Sequence, residues 1–312
     1  MLNKKTLKRV FLGIHKIGIK CGIYILPAHY YSAIPNILEL QKTKHIWARE
    51  SKLPGVASDL DEQISHLKTI CMPYQKEYAG NKHFKDALSK HLGQGYGYIE
   101  AQALHAIIRH FKPNRIVEVG SGISTYCMLK ASEMNTKEVG AMSKLISIEA
   151  YPSNRIRGLH QIQLIPEQVQ NVPMDLFYEL KQNDLLFIDS SHTVRAGGDV
   201  NYLILEVLPR LDKGVVVHFH DIYLPFDYQR DVCQTFFHWA ETSLLRSFLI
   251  FNEKVKIIFC LSQLHYARKD CLREVFPEYN PQRDTNGLIP KEYKPFDPIL
   301  EHFPSSIYIQ IR

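Results

Sequence analysis

The sequence predicts an α/β protein: a doubly wound, mostly parallel, seven-stranded sheet with a helical N-terminal extension. Three observations carry that prediction. From Arg115 onward, short β-branched runs alternate with helix-patterned stretches, as successive βαβ units do. The first run ends in the glycine turn Gly120-Ser121-Gly122 immediately before a helical stretch. The last two runs, Val255 to Phe259 and Ile307 to Ile311, lie either side of a long polar, proline-bearing stretch and fit an antiparallel closing pair with an insertion at about 262–304.

In chain order, Leu7, Val10, Phe11, Ile14, Ile17 and Cys21 recur at helical spacing, with Lys4, Lys5, Lys8, Lys16 and Lys20 mostly on the other side. Such a basic amphipathic helix suits a membrane-surface anchor and equally a helix packed on its own domain. Gly13, Gly18 and Gly22 weaken it as a free-standing helix. Pro27 to Pro54 is aromatic and turn-rich, the composition of a linker or a lid. A second helix is expected from Ser58, capped by that hydroxyl with Asp61 three residues on, through Leu60, Ile64, Leu67 and Ile70. A third runs from Ile99 to His110. Residues 1–94 read as the extension and 95–312 as the main domain. Its strands are expected at Arg115 to Val119, Leu145 to Glu149, Gln161 to Leu164, Leu185 to Ile188 and Val215 to Phe219, with helices at Ser124 to Glu133 and Ala196 to Leu208.

At 312 residues, 45% hydrophobic and 22% charged, the chain can bury a full core, which excludes a disordered protein. Its net charge of +6 resides in residues 1–50, which hold nine Lys or Arg against two Glu. The remainder is balanced at 29 basic to 30 acidic, so no nucleic-acid partner is expected and any anionic partner should meet the N-terminal segment. Six cysteines form no C-x-x-C pair. The apolar stretch from Val10 to Pro27 is broken by His15, Lys16 and Lys20, too interrupted for a signal peptide or a membrane span. The expected location is the cytoplasm, with weak contact to the inner membrane surface through residues 1–26.

The glycine turn after strand one lets a nucleotide-like ligand approach the backbone beyond the carboxyl ends of the strands. Thr125 stands where a dinucleotide fingerprint has its third glycine. Glu149, closing the second strand, can accept both hydroxyls of a ribose. Strand four delivers Asp189-Ser190-Ser191-His192, and strand five delivers His218-Phe219-His220-Asp221 to the same edge. Asp189, Asp221 and His220 could hold a divalent cation, with His192 free to take a proton from a substrate hydroxyl. The bland alternative leaves Asp189 ending a strand and Asp221 capping a turn. Strand alternation points His218 to the side of His220 only if the strand continues, and a buried structural imidazole is the more usual outcome for such a residue. Tyr223, Pro225, Phe226 and Tyr228 could wall an acceptor pocket or belong to the core.

Taken together, Arg115-Ile-Val-Glu-Val-Gly-Ser-Gly-Ile-Ser-Thr125, Ile148-Glu149, Phe187-Ile-Asp-Ser-Ser-His192 and Gly214-Val-Val-Val-His-Phe-His-Asp221 resemble a class I S-adenosylmethionine-dependent methyltransferase with a Rossmann-like sheet. The resemblance covers roughly residues 95–265. It implies that Glu118, Gly120 and Gly122 frame the methionine part of S-adenosylmethionine, that Glu149 binds its ribose and that Asp189 lies beside it, with Ser121 and Thr125 of the same turn also among the cofactor-binding residues. The chain is similar, more distantly, to metal-dependent sugar O-methyltransferases. In those, an Asp-x-x-His after strand four gives a metal ligand and a general base, matched here by Asp189 and His192. An acid-Asp pair after strand five completes the site, and here His220 replaces the first acid while Asp221 matches the second. A metal set of Asp189, His220 and Asp221 would take Mg, Mn or Zn, with the imidazole making Mg the poorer choice.

The expected activity is O-methylation of a small hydroxylated acceptor such as a sugar or glycan precursor. A nicotinamide-dependent oxidoreductase shares the sheet, but Thr125 in place of the third glycine disfavours it. A non-catalytic protein that docks on a membrane through its basic helix is the third reading.

Overall fold

The central strands are apolar on both faces, and each face meets its own core. In β1 (Arg115–Val119), Ile116 packs on one side of the sheet while Val117 and Val119 pack on the other. The same alternation separates Leu185 and Phe187 from Leu186 and Ile188 in β4 (Leu185–Ile188). Strands apolar on both faces require helices on both, the condition of a buried parallel sheet. Helices Leu60–Cys71, Tyr98–Phe111 and Ile123–Val139 supply one layer. The helical segment 199–210 and helix Glu241–Leu249 contribute to the other.

The computed structural model describes residues 4–93, 95–140, 142–284, 286–289 and 301–312. With β2 (Lys144–Ile148), β3 (Gln163–Ile165), β5 (Val216–Phe219), β6 (Val255–Cys260) and β7 (Ile307–Ile311), the seven strands order as β3-β2-β1-β4-β5-β7-β6. Strands β1 to β5 are parallel, and β7 runs antiparallel to both β5 and β6. This is the expected doubly wound sheet with its antiparallel closing pair. The strand order reverses between β1 and β4, which opens a crevice beyond their carboxyl ends.

The chain forms two compact units, one of residues up to Trp47 with Val232–His238, the other of Ala48–Asp231 with Trp239–Arg312. The first contains the amphipathic helix, at Lys4–Lys20, and short helices Ile37–Lys42 and Lys44–Trp47. The helices from Leu60 to Ser89, read from sequence as part of the extension, lie in the second unit. There Leu67 and Ile70 enter the same core as Leu104 and Ile108 of helix Tyr98–Phe111.

Two local expectations are corrected. Asp59, not Ser58, caps helix Leu60–Cys71, accepting from the amides of Asp61 and Glu62, while the Ser58 hydroxyl donates to Gln263 at 2.7 Å. The helix expected at Ala196 to Leu208 starts later, with Gly198 as its N-cap, and is α only at Asp199–Tyr202. It widens to a π turn at Leu203–Val207 and tightens to 3-10 at Leu208–Arg210. Pro209 explains the change, since it has no amide to donate and its ring opposes the carbonyl four residues back. Within the expected insertion, helices Leu261–Ala267 and Lys269–Val275 are described, and residues 290–300 lie outside the described residues.

Candidate active site

At the end of β1 the chain turns at Gly120, whose φ of +98° is one that side-chain-bearing residues avoid. A Cβ there would also collide with the Asp189 carbonyl oxygen. The Asp189 amide donates to Val119 O and holds the ends of β1 and β4 together, while the Gly120 amide donates to Ile148 O of the strand on the other side, each at 2.9 Å. Glycine is therefore what allows the ends of β1 and β4 to meet at the switch point.

Glu118 faces the helix layer and is fully buried. Its carboxylate accepts from Ser124 Oγ and Thr125 Oγ1, both at 2.7 Å, and Thr125 Oγ1 in turn accepts from the Gly122 amide at 2.9 Å. Burial pushes the Glu118 carboxyl up to about 8 despite these hydroxyls. Glu118, Gly122 and Thr125 thus lock the loop from beneath and take no place in the wall of the cleft it borders.

That cleft, about 450 Å³, is lined by Gly120, Glu149 and Asp189, with Glu167, Gln168 and Val169 from the segment after β3. Glu149 Oε2 accepts from Ser121 Oγ at 3.1 Å and Oε1 accepts from the Tyr151 amide at 2.9 Å, so the carboxylate is held at the rim by the loop itself. Ser121 joins the site through this bond. Gly120, Glu149 and Asp189 therefore come together from the ends of three neighbouring strands.

Beside the cleft, four side chains converge. Asp189 Oδ1 lies 3.4 Å from both His192 Nε2 and His220 Nδ1, and Asp221 Oδ2 lies 3.6 Å from the same two nitrogens. His192 and Asp221 both hold left-handed backbone, with φ of +56° and +52°, an arrangement that costs free energy and persists where the surroundings over-determine it. Asp221 Oδ1 is engaged by Ser305 Oγ at 3.0 Å and the Tyr223 hydroxyl at 3.2 Å, which leaves Oδ2 to the imidazoles. His192 belongs with the ligand-bearing residues by position: atoms of Asp189, His192 and His220 all lie within 4.8 Å of one another.

A residue without any sequence motif completes the group. Glu241, on helix Glu241–Leu249 and 1% exposed, places Oε2 2.7 Å from His192 Nδ1. Trp239 packs its ring 4.7 Å from the His192 ring, and the Ala240 amide donates to the His192 carbonyl at 3.0 Å. Burial opposes charge on His192, yet Asp189, Glu241 and Asp221 overcome it and hold its proton well above the ordinary imidazole range. His220 behaves alike: burial lowers it, but Asp221 and Asp189 raise it to about 9. Burial raises Asp189, and the two imidazoles reverse that and keep its carboxyl well below the usual carboxylate range.

His218 lies outside the group. Its ring stacks on Phe187 at 4.1 Å and Nε2 bonds Ser306 Oγ at 2.9 Å, so it is a core imidazole. Past the cluster, a second cavity of about 350 Å³ is walled by Tyr96, Tyr98, Tyr223 and Trp239, with His220 and Asp221 at its edge. Of the four residues expected to wall a pocket after β5, Tyr223 does so. Phe226 instead packs on Tyr228 and Tyr266, and neither Pro225 nor Tyr228 lines the cavity.

The profile of a methyltransferase domain family matches residues 117–222, the stretch that contains the glycine turn, Glu149, Asp189, His192, His220 and Asp221. An uncharacterised protein of Archaeoglobus fulgidus is 32% identical over 195 residues, covering 59% of this chain and 85% of that one. The chain carries a methyltransferase domain of the S-adenosylmethionine-dependent kind. Among solved structures, the methyltransferase is similar to the Podospora anserina methyltransferase PaMTH1 bound to SAH (16% identity, 75% of this chain and 92% of that chain, TM-score 0.36). It is also similar to an O-methyltransferase of Bacillus cereus in complex with SAH (10%, 80% and 100%, TM-score 0.41). A third is TomG of Streptomyces achromogenes, in complex with SAM (14%, 71% and 87%, TM-score 0.37).

Proposed function

We propose that this methyltransferase transfers the methyl group of S-adenosylmethionine to a hydroxyl of a sugar or glycan precursor, with a divalent cation held by Asp189, His220 and Asp221. One observation carries the proposal: Asp189 lines the cleft beside the glycine turn while His220 and Asp221 line the aromatic cavity, so the four-residue cluster borders both.

The donor set suits a cation. The separations of His220 Nδ1 from Asp189 Oδ1, 3.4 Å, and from Asp221 Oδ2, 3.6 Å, are those between neighbouring tetrahedral ligands at bonds of about 2.1 Å. His220 Nδ1 is buried without a hydrogen-bond partner among the described residues and faces the Asp189 and Asp221 carboxylates, so a cation bound there would replace the proton that this pair of acids favours on the ring. Glu241 behind His192 supports that ring as a carboxylate supports an imidazole held in one tautomer beside a metal site. The mixture of nitrogen and oxygen donors favours Mn or Zn over Mg. Bound there, the cation would lower the pKa of the acceptor hydroxyl and orient a vicinal diol.

The protein's own groups do the rest by alignment. Gly120 and the Glu149 carboxylate would seat the cofactor with its ribose at the rim. Tyr96, Tyr98, Tyr223 and Trp239 would give aromatic surface to the C–H side of a sugar, while Asp231 and Glu301 in the same wall could accept from its hydroxyls. The acceptor oxygen would attack the methyl carbon in line, the C–S electron pair leaving with sulfur, and the hydroxyl proton would pass to His192 Nε2, which beside the cation's charge would first have lost the proton that the carboxylates otherwise hold there. Glu241, taking the Nδ1 proton, directs Nε2 at that oxygen.

The test is a mass-spectrometric screen for products heavier by CH2 among sugars, glycans and other hydroxylated metabolites, run with S-adenosylmethionine before and after chelation. Methylated carbohydrate that disappears on chelation and returns with Mn or Zn is expected. Full activity after chelation would remove the cation, and methylation confined to non-carbohydrate acceptors would remove the acceptor class.

A further inference from the structure

The N-terminal helix Lys4–Lys20 presents an apolar face on which Leu7, Val10, Phe11, Ile14 and Ile17 are all exposed, Ile17 at 66%. At helical spacing these five fall within an arc of roughly 120°, and Arg9, Lys16 and Lys20 lie on the opposite side.

The chain after the helix adds to the same character. It folds back at Gly18, where the Ile23 amide donates to the Gly18 carbonyl at 2.9 Å and His15 Nδ1 bonds the Ile25 carbonyl at 3.0 Å. A Cβ on Gly18 would meet Ile23 O at 2.7 Å, so the close return depends on that glycine. The returning segment exposes Ile23, Tyr24, Ile25 and Leu26, and Tyr30 follows at 92% exposed. In the same compact unit Phe236 and Phe237 are exposed side by side, their ring centroids 4.3 Å apart. Charge distinguishes the occupant. The first acidic residue of the chain is Glu39, so every charged side chain before it is basic.

We infer that this N-terminal segment docks on the surface of an anionic lipid bilayer. The apolar stripe enters the boundary between headgroups and acyl chains, the tyrosines sit at headgroup level, and Lys8, Arg9, Lys16 and Lys20 meet the negative surface. Among the described residues no helix is long and apolar enough to cross a membrane, so the contact lies in the interface plane. A protein partner or second copy would cover the apolar face, but nothing in that reading accounts for a segment without a single carboxylate. This inference stands independently of the acceptor and the cation.

The test uses the full-length enzyme in co-sedimentation with vesicles of phosphatidylcholine alone or with about one-third phosphatidylglycerol, at low and high salt. Binding on the order of a hundredfold tighter to the anionic vesicles, weakened by salt, is expected. Two combined variants, Phe11→Ser with Ile14→Ser and Lys16→Glu with Lys20→Glu, should each lose most of that binding while their affinity for S-adenosylmethionine, measured by calorimetry, stays unchanged. Equal binding to neutral vesicles, or no binding to either kind, overturns the proposal without any variant. An oligomer in lipid-free ultracentrifugation that Phe11→Ser with Ile14→Ser dissolves, with no vesicle binding, assigns the face to a second copy and overturns it too.

Discussion

Glu241 Oε2 and His192 Nδ1 lie 2.7 Å apart in a buried pair that fixes which ring nitrogen of His192 faces the cluster. With Nδ1–H donated to Glu241, Nε2 is turned toward Asp189 and Asp221. Glu241→Gln keeps the shape but removes the charge that stabilises the protonated ring. It should lower kcat roughly 10- to 100-fold, as loss of such supporting carboxylates does, with cofactor affinity unchanged. Turnover at the unaltered rate would deny Glu241 its positioning role.

The ribose assignment makes a binding prediction. Glu149 is held at the rim by Ser121 and the Tyr151 amide, and Glu149→Ala should weaken S-adenosylmethionine by about thirtyfold, the worth of about 2 kcal/mol of charge-assisted bonding. Calorimetry reads this directly, and an unchanged Kd would place the ribose elsewhere.

Gly120→Ala should be worse than its size suggests. It forces a side chain into a left-handed turn and against the Asp189 carbonyl, so the ends of β1 and β4 must part. Loss of cofactor binding with a melting temperature lower by several degrees is expected, whereas Gly122→Ala, at extended backbone, should be milder.

Much of this was legible in the sequence, and the misses have physical causes. The bounds of β1, β4 and β7 are those that β-branched runs mark, because strands buried on both faces carry the strongest apolar signal. The edge strand β3 is three residues long and only half-buried, so its pattern is diluted and its start lies two residues beyond the reading. Asp189, His192, His220 and Asp221 were legible because the parallel topology alone brings the ends of β4 and β5 together. Glu241 was not, being 49 residues from His192 on an outer helix with no local signature, where an acid in the first turn ordinarily complements the helix dipole. Thr125 and Glu118 sat in the right motif, but sequence could not tell a side chain aimed at the cleft from one that braces the loop.

Glu118 gives a pH dependence of definite sign. Its folded pKa of about 8 stands above the ordinary 4.5 because burial penalises the charge, so the folded state binds a proton that the unfolded chain releases. The stabilisation is complete below the unfolded value and is lost as pH rises through about 8. Between pH 5 and pH 9 the melting temperature of the wild type should therefore fall by roughly 5 °C more than that of Glu118→Gln. Parallel curves for the two proteins would mean Glu118 is ionised in the fold.

The central claim is that the cluster stands where the cofactor's methyl group and the acceptor meet. The most direct measurement is anomalous diffraction from crystals of the methyltransferase grown with S-adenosylhomocysteine and manganese. The account predicts an anomalous peak within bonding distance of Asp189, His220 and Asp221, with the cofactor sulfur beside Gly120 and the ribose on Glu149. A cofactor seated away from the glycine turn, or manganese bound elsewhere with this cluster unchanged, would contradict it.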